Sequence, residues 1–166
     1  MSKALDFIQA INYFQNTIQY DTTEDEILWH LTKNIIRKLD FEDCVIYKYD
    51  AESKRLIQRA AYGNKNPYEH IIYNQIEIEL GSGIVGHVAQ TKIPEVIYDT
   101  SKDSRYLVDD HKRFSEICVP ILINNKLYGV IDSEHSDKEF FSQLHLQLLI
   151  LIASICAQKV QNLKSN

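Results

Sequence analysis

Apolar residues recur along the first forty positions with helical spacing. Phe7, Ile11, Phe14 and Ile18 fall four, three and four residues apart, a single stripe that predicts a helix over residues 3–19. Leu28, Leu31, Ile35 and Leu39 form a second stripe, predicting a helix over 24–39. Thr23 and Glu26 stand at capping-box spacing, where a hydroxyl and a carboxylate satisfy each other's free backbone N–H. The period then changes. Residues 43–50 and 56–62 are rich in β-formers and bounded by turn residues, and 76–80 alternate strictly, so each predicts a strand. A short helix is expected over 84–90, a short strand over 95–99, and a polar loop with one helical turn over 100–113. A hairpin over 116–123 and 127–134 follows, and then a long helix over 137–163 that Ser136 and Glu139 would cap.

Strands that follow one another without crossover helices imply a largely antiparallel sheet. The hairpin permits a register argument. Ile117, Val119, Ile121 and Ile123 share a face of its first strand, and Leu127, Gly129 and Ile131 share a face of its second. The two sets meet when the connection has an odd number of residues, such as three around Asn124-Asn125, because a one-residue slip moves every side chain across the sheet. That register leaves Glu116, Cys118, Asp132 and Glu134 together on the opposite face. Such a carboxylate group reads either as a pocket for an amine or another cation, or as acceptors for neighbouring N–H groups and solvent.

The 166 residues suit one domain with a real core. At a net charge of −5, with no Lys/Arg-rich stretch, nucleic acid is not an expected partner. Cys44, Cys118 and Cys156 form no CxxC pair, and no two histidines have HxxxH or HExxH spacing, so neither a zinc site nor another metal centre is expected. Asp6, Gln9 and Asn12 interrupt any secretory h-region, and the longest apolar run, 148–157, reaches only ~15 Å as a helix. The expectation is a cytoplasmic protein without a membrane partner.

The order GSGIVGHVAQTKIPEVIYD (81–99), FSEICVPI (114–121) and KLYGVID (126–132) resembles the GAF domain, a small α/β module used for ligand binding and signalling. The resemblance implies an α+β fold. A central antiparallel sheet would carry the terminal helices on one face and a short helix with loops on the other. It implies a GAF domain over residues 20–163, with residues 1–19 as a helix available for dimerisation. It further implies a sensory role without catalytic residues. The ligand, and any cofactor, stays unidentified. The output would pass through the terminal helices of a homodimer to a signalling protein such as the histidine kinase of a two-component system. Since no output domain follows residue 163, a separate partner or a larger sensor is expected. Candidate ligand contacts are Glu116, Cys118, Asp132 and Glu134 on the sheet. Ser82, Gly83 and His87 at the short helix and Asp103, Arg105 and Tyr106 in the loop complete the set. Ser82 and Gly83 could present N–H groups to an anion, or make a tight turn for packing.

A second resemblance is to the free methionine-R-sulfoxide reductases, which have the GAF fold. Acidic residues at positions matching Glu116, Asp132 and Glu134 hold their substrate's amine. Their chemistry needs cysteines, one in the helix-opening motif, where this chain has Val85, and others in the loop matching 99–113, where it has none. A thiolate must attack the sulfoxide sulfur, and neither Ser nor Asp replaces it. A reductase is therefore the alternative reading. An interaction module whose pocket is filled by Tyr47, Tyr49, Tyr62 or Tyr106 is a third.

Overall fold

In the structure, a computed structural model describing residues 3–165, two helical segments precede the sheet. Helix α1, Lys3–Thr17, continues as a 3-10 turn, Ile18–Tyr20, and buries Phe7, Ala10, Phe14 and Ile18, with Ile11 half-buried beside them. Helix α2, Glu24–His30, starts at the expected capping box. The Thr23 hydroxyl accepts the Glu26 N–H at 3.2 Å and the Glu26 carboxylate accepts the Thr23 N–H at 3.1 Å. The segment does run to Leu39, but as a π turn (Leu31–Ile35) and a 3-10 turn (Ile36–Leu39). At that change of pitch the Thr32 hydroxyl donates back to the Trp29 carbonyl, 3.0 Å away, competing with the helical ladder. The side chain of Ile35 lies outside the described residues.

Six strands form one antiparallel sheet in the order β3-β2-β1-β6-β5-β4. They are β1 Cys44–Asp50, β2 Arg55–Tyr62, β3 Glu77–Glu79, β4 Glu95–Ile97, β5 Ser115–Ile123 and β6 Lys126–His135. Helix α3, Gly83–Thr91, covers one face, while α1, α2 and the long α4, Gln143–Ser165, cover the other. Among the described residues, α4 is the one helix long and apolar enough to cross a membrane by length and composition. Here it buries Leu149, Ile152, Cys156 and Val160 against the sheet side of the core.

Two expectations need correction. The β5–β6 turn has two residues, not three. Asn124 and Asn125 take φ values of 51° and 62°, the left-handed pair a two-residue hairpin turn requires. A bulge restores the parity. Ile121 opposes Gly129 while Leu122 opposes Leu127, so Tyr128 is the extra residue. Tyr128 joins the helix-side core, and Leu127 moves to the other face. Gly129 is required there, because a Cβ would sit 2.2 Å from the Tyr47 carbonyl oxygen of β1.

The last helix starts at Gln143 instead of 137. Ser136 donates its hydroxyl to Glu42 (2.5 Å), and Glu139 turns back with φ 58°. The intervening Phe141 is fully buried, and Phe140 stacks on His135 with ring centres 3.6 Å apart. Burying two aromatics outweighs one early cap. Ser142 caps the helix instead. Its hydroxyl accepts the His145 N–H at 3.3 Å, and the imidazole Nδ1 accepts the Ser142 N–H at 3.1 Å, a capping box with histidine in place of Glu.

Candidate functional site

The β5–β6 pairing places Glu116 opposite Glu134 and Cys118 opposite Asp132. All four point to the α3 side of the sheet and are at most 8% exposed. The sequence-based grouping therefore stands, and the carboxyls are not at wet strand ends. Asp43, at the mouth of β1, joins them. It accepts the Glu134 backbone N–H at 2.7 Å. Four carboxyls thus meet in one buried region.

Over them lies the segment 98–114, between β4 and β5. Its ends are closed by hydrogen bonds. The Thr100 N–H donates to the Phe114 carbonyl (3.0 Å), the Thr100 hydroxyl to the Arg113 carbonyl (2.5 Å), and the Phe114 N–H to the His135 carbonyl (2.9 Å). Arg113 reaches inward. Its Nη1 lies 2.7 Å from Asp110, 3.2 Å from Asp43 and 3.5 Å from Glu134. Carboxylate oxygens of Asp43, Asp110 and Glu134 come within 4.8 Å of one another, a spacing suited to a metal ion, but this guanidinium already lies among them. A second buried cation pins the same segment. Lys65, 2% exposed, donates to Asp109 (2.8 Å) and to the Asn74 carbonyl (2.7 Å). Gln58 donates to both Asp109 (2.8 Å) and the Tyr47 hydroxyl (3.0 Å).

The charge balance is uneven. Burial, reinforced by Glu116, pushes the Asp132 carboxyl well above the usual range, and burial together with Glu134 does the same to Glu116. Burial and the neighbouring Asp132 carry Glu134 up to about 9, against the pull of Arg113. Burial takes Asp43 up to about 7 even though Arg113 opposes the shift. For Arg113 itself burial disfavours the charge, but Asp110, Asp43 and Glu134 outweigh it and hold it charged. Asp132 Oδ1 is buried with no hydrogen-bond partner. An orphaned carboxyl oxygen of this kind costs about 1–3 kcal/mol.

Between α3, Tyr47 and the covering segment a cavity of about 40 Å3 remains, touched by Gly83, Val85, Leu107 and Glu116. The other expected contacts divide. The Tyr106 hydroxyl accepts the Arg113 N–H at 2.9 Å and sits at the cluster. Gly83 borders the cavity with φ 65°, whereas the Ser82 hydroxyl is exposed and makes no cap hydrogen bond, which favours a packing turn. A Cβ on Gly86 would lie 2.4 Å from the Glu79 carbonyl, so α3 sits as close to β3 as backbone allows. His87, Asp103 and Arg105 form a separate, half-buried group around Glu95. Arg105 binds both Glu95 and Asp103 at 2.7 Å, and His87 lies 3.3 Å from Glu95. Sequence reasoning did not single out Asp43, Gln58, Lys65, Asp109 or Asp110. Asp43 had a faint signal, an acid directly before a run of core residues. Lys65 had none.

A GAF domain family model matches residues 21–161. The free methionine-R-sulfoxide reductase of Saccharomyces cerevisiae is 27% identical over 127 residues, covering 71% of this chain. The match spans 66% of that enzyme's length, just under two-thirds. Among solved structures, the free methionine-R-sulfoxide reductase of Neisseria meningitidis in complex with its substrate superposes with a TM-score of 0.88. It is 17% identical, with 99% of this chain and 94% of that one covered. The GAF domain of an Acinetobacter phosphoenolpyruvate-protein phosphotransferase gives 0.84 at 20% identity, covering 99% and 97%. At such identities the structural likeness is one of fold.

Proposed function

The chain belongs to the GAF domain family, and from that premise we propose that it is a non-enzymatic sensory domain whose small-molecule ligand carries an amine or another cationic group. The observation that carries this reading is the unbalanced acid cluster. Asp132, Glu116 and Glu134 are buried together, and the first two share a hydrogen bond; among the described residues only Arg113 is charged against them, and Asp132 Oδ1 has no hydrogen-bond partner. Without an opposing charge these carboxyls hold protons, and an ammonium group would replace those protons with ion pairs.

Entry requires the 98–114 segment to lift, since the cavity beneath it, about 40 Å3, is far below the ~300–1,000 Å3 of small-molecule sites. Lifting it would disturb the start of α4. Phe114 binds His135, the Ser115 hydroxyl donates to the Asp137 carbonyl (2.7 Å), and His135 stacks on Phe140 just ahead of that helix. Exposed Leu5 and Ile8 on α1 and Leu144 and Leu151 on α4 supply apolar surface for a homodimer. Through it a cytoplasmic output protein such as a histidine kinase would be addressed. Native mass spectrometry of the purified chain, followed by thermal shift with a panel of small amines and their neutral amides, tests the reading. A carried or added amine that stabilises the protein, while its amide does not, is the expected result. Equal responses to amine and amide would refute a cation site.

The relationship to the yeast enzyme keeps a second reading in view, a reductase of free methionine sulfoxide. Against it, Cys44, Cys118 and Cys156 are all buried, and burial pushes each thiol above its ordinary value, the reverse of what a thiolate nucleophile needs. Val85 borders the cavity where those enzymes carry a cysteine. Methionine formation from its R-sulfoxide in the presence of dithiothreitol, abolished by Cys118→Ser, would establish the second reading over the first.

A further inference from the structure

The lysines of this chain are scattered in sequence, and the fold gathers four of them. Lys48 of β1, Lys92 just after α3, Lys126 at the start of β6 and Lys164 in the last turn of α4 line one groove of about 520 Å3. It lies at the turn end of the β5–β6 hairpin, the opposite end of β6 from Glu134. In a chain of net charge −5 this is a local reversal of sign.

Three of the four ammonium groups are held in place. Glu24 binds Lys48 at 2.5 Å and Lys164 at 3.0 Å, and both ammonium groups stand about 5.5 Å from the centre of the Tyr128 ring, at 5.6 and 5.5 Å. Lys92, in the left-handed conformation that ends α3, donates to the Asn125 carbonyl at 2.9 Å. An ammonium has three donors, so each retains hydrogen-bonding capacity. The Lys126 side chain is exposed, and its ammonium has no hydrogen bond or ion pair among the described residues. Between the lysines the walls are apolar, made by Leu80, Ala89 and Leu127 with the Tyr49 and Tyr128 side chains.

We propose that this groove is a second binding site, for a small organic anion with a flat or aliphatic body. The body lies on Leu80, Ala89 and Leu127, and Lys92 and Lys126 take a carboxylate, phosphate or sulfonate group. The volume falls within the ~300–1,000 Å3 of small-molecule sites. An occupant touches the C-terminal end of α3, whose first turn borders the acidic cavity, and the last turn of α4. The fold then carries two inputs of opposite charge on one sheet, and this second one does not depend on the acidic site.

Amide NMR of the folded protein, titrated with 1-naphthyl phosphate and separately with 1-naphthol, tests it. Saturable shifts are expected at residues 89–92, 126–128 and 164. Affinity should fall about tenfold for the neutral naphthol and again for the Lys92→Gln/Lys126→Gln variant, while Asp132→Asn leaves it unchanged. The single Lys126→Gln change, at an exposed position, supplies the same readout if the double variant folds poorly. Equal affinity for naphthol, shifts centred elsewhere, or no saturation overturns the proposal. So does a hexaglutamate peptide that binds the groove where naphthyl phosphate does not, which would make it a protein-docking surface.

Discussion

Within β6, Ile131 and Asp132 are neighbours in sequence and belong to two different chemistries. Ile131 turns toward α1, α2 and α4, where Ile46, Ala60, Ile117 and Val119 from the adjoining strands meet Phe14, Leu149 and Ile152 in a continuous apolar core. Asp132 turns the other way, with Glu134 beyond it and Glu116 across the strand pair, under a segment held by Arg113 and Lys65. Both faces are buried. The difference is that burial stabilises the first and works against the second, since desolvation is the first cause of every raised carboxyl there. Under the proposed function, a bound cation offsets that cost.

The contrast can be broken from either side. The largest effect is expected on the apolar face. Phe14→Ala, at a fully buried position, should cost about 3–5 kcal/mol in urea unfolding, while amide exchange across 98–114 stays as in the parent. On the acidic face, Arg113→Met removes the charge that Glu42, Asp43, Asp110 and Glu134 all face and should cost about 3 kcal/mol. Its exchange should quicken in 98–114 and at the start of α4. Exchange that quickens only in α1 and α2 would contradict the division.

A smaller and reversible effect is expected from pH. Asp43 and Glu134 have folded-state values of about 7 and about 9, above the ordinary 3.8 and 4.5. The folded state therefore binds more protons than the unfolded one in that window. Their contribution is complete below about 4 and is lost as pH rises through 7 and then 9. Unfolding free energy should decline from pH 5 to pH 9 by several kcal/mol, at most about 8, and Glu134→Gln should flatten the upper part of that decline. Stability that rises over the same range would sink the assignment.

Much of this arrangement was legible in the chain. The two apolar stripes, the Thr23–Glu26 cap, the strand pattern and the grouping of Glu116, Cys118, Asp132 and Glu134 all follow from local period and parity. What escaped depends on contacts between distant residues. Two consecutive asparagines fit a two- or a three-residue loop equally, and only the close approach of Gly129 to Tyr47 fixes the bulge at Tyr128. Ser136 had capping spacing, but Glu42, ninety-four residues earlier, takes its hydroxyl. Lys65 and Asp109 are forty-four residues apart in polar loops, and nothing local marks either for burial. The four lysines of the basic groove lie on four separate elements, so no charge run announces them.

The central claim is that the buried acids opposite the apolar core hold protons until a cation arrives. Carbon-13 NMR of the side-chain carboxyls, titrated from pH 4 to pH 10 and assigned with Glu134→Gln, reads this directly. The account predicts a Glu134 midpoint near 9 and an Asp43 midpoint near 7 in the free protein. Midpoints at the ordinary 4.5 and 3.8 would mean that the acids are ionised and satisfied without a ligand, and the sensor reading would lose its basis.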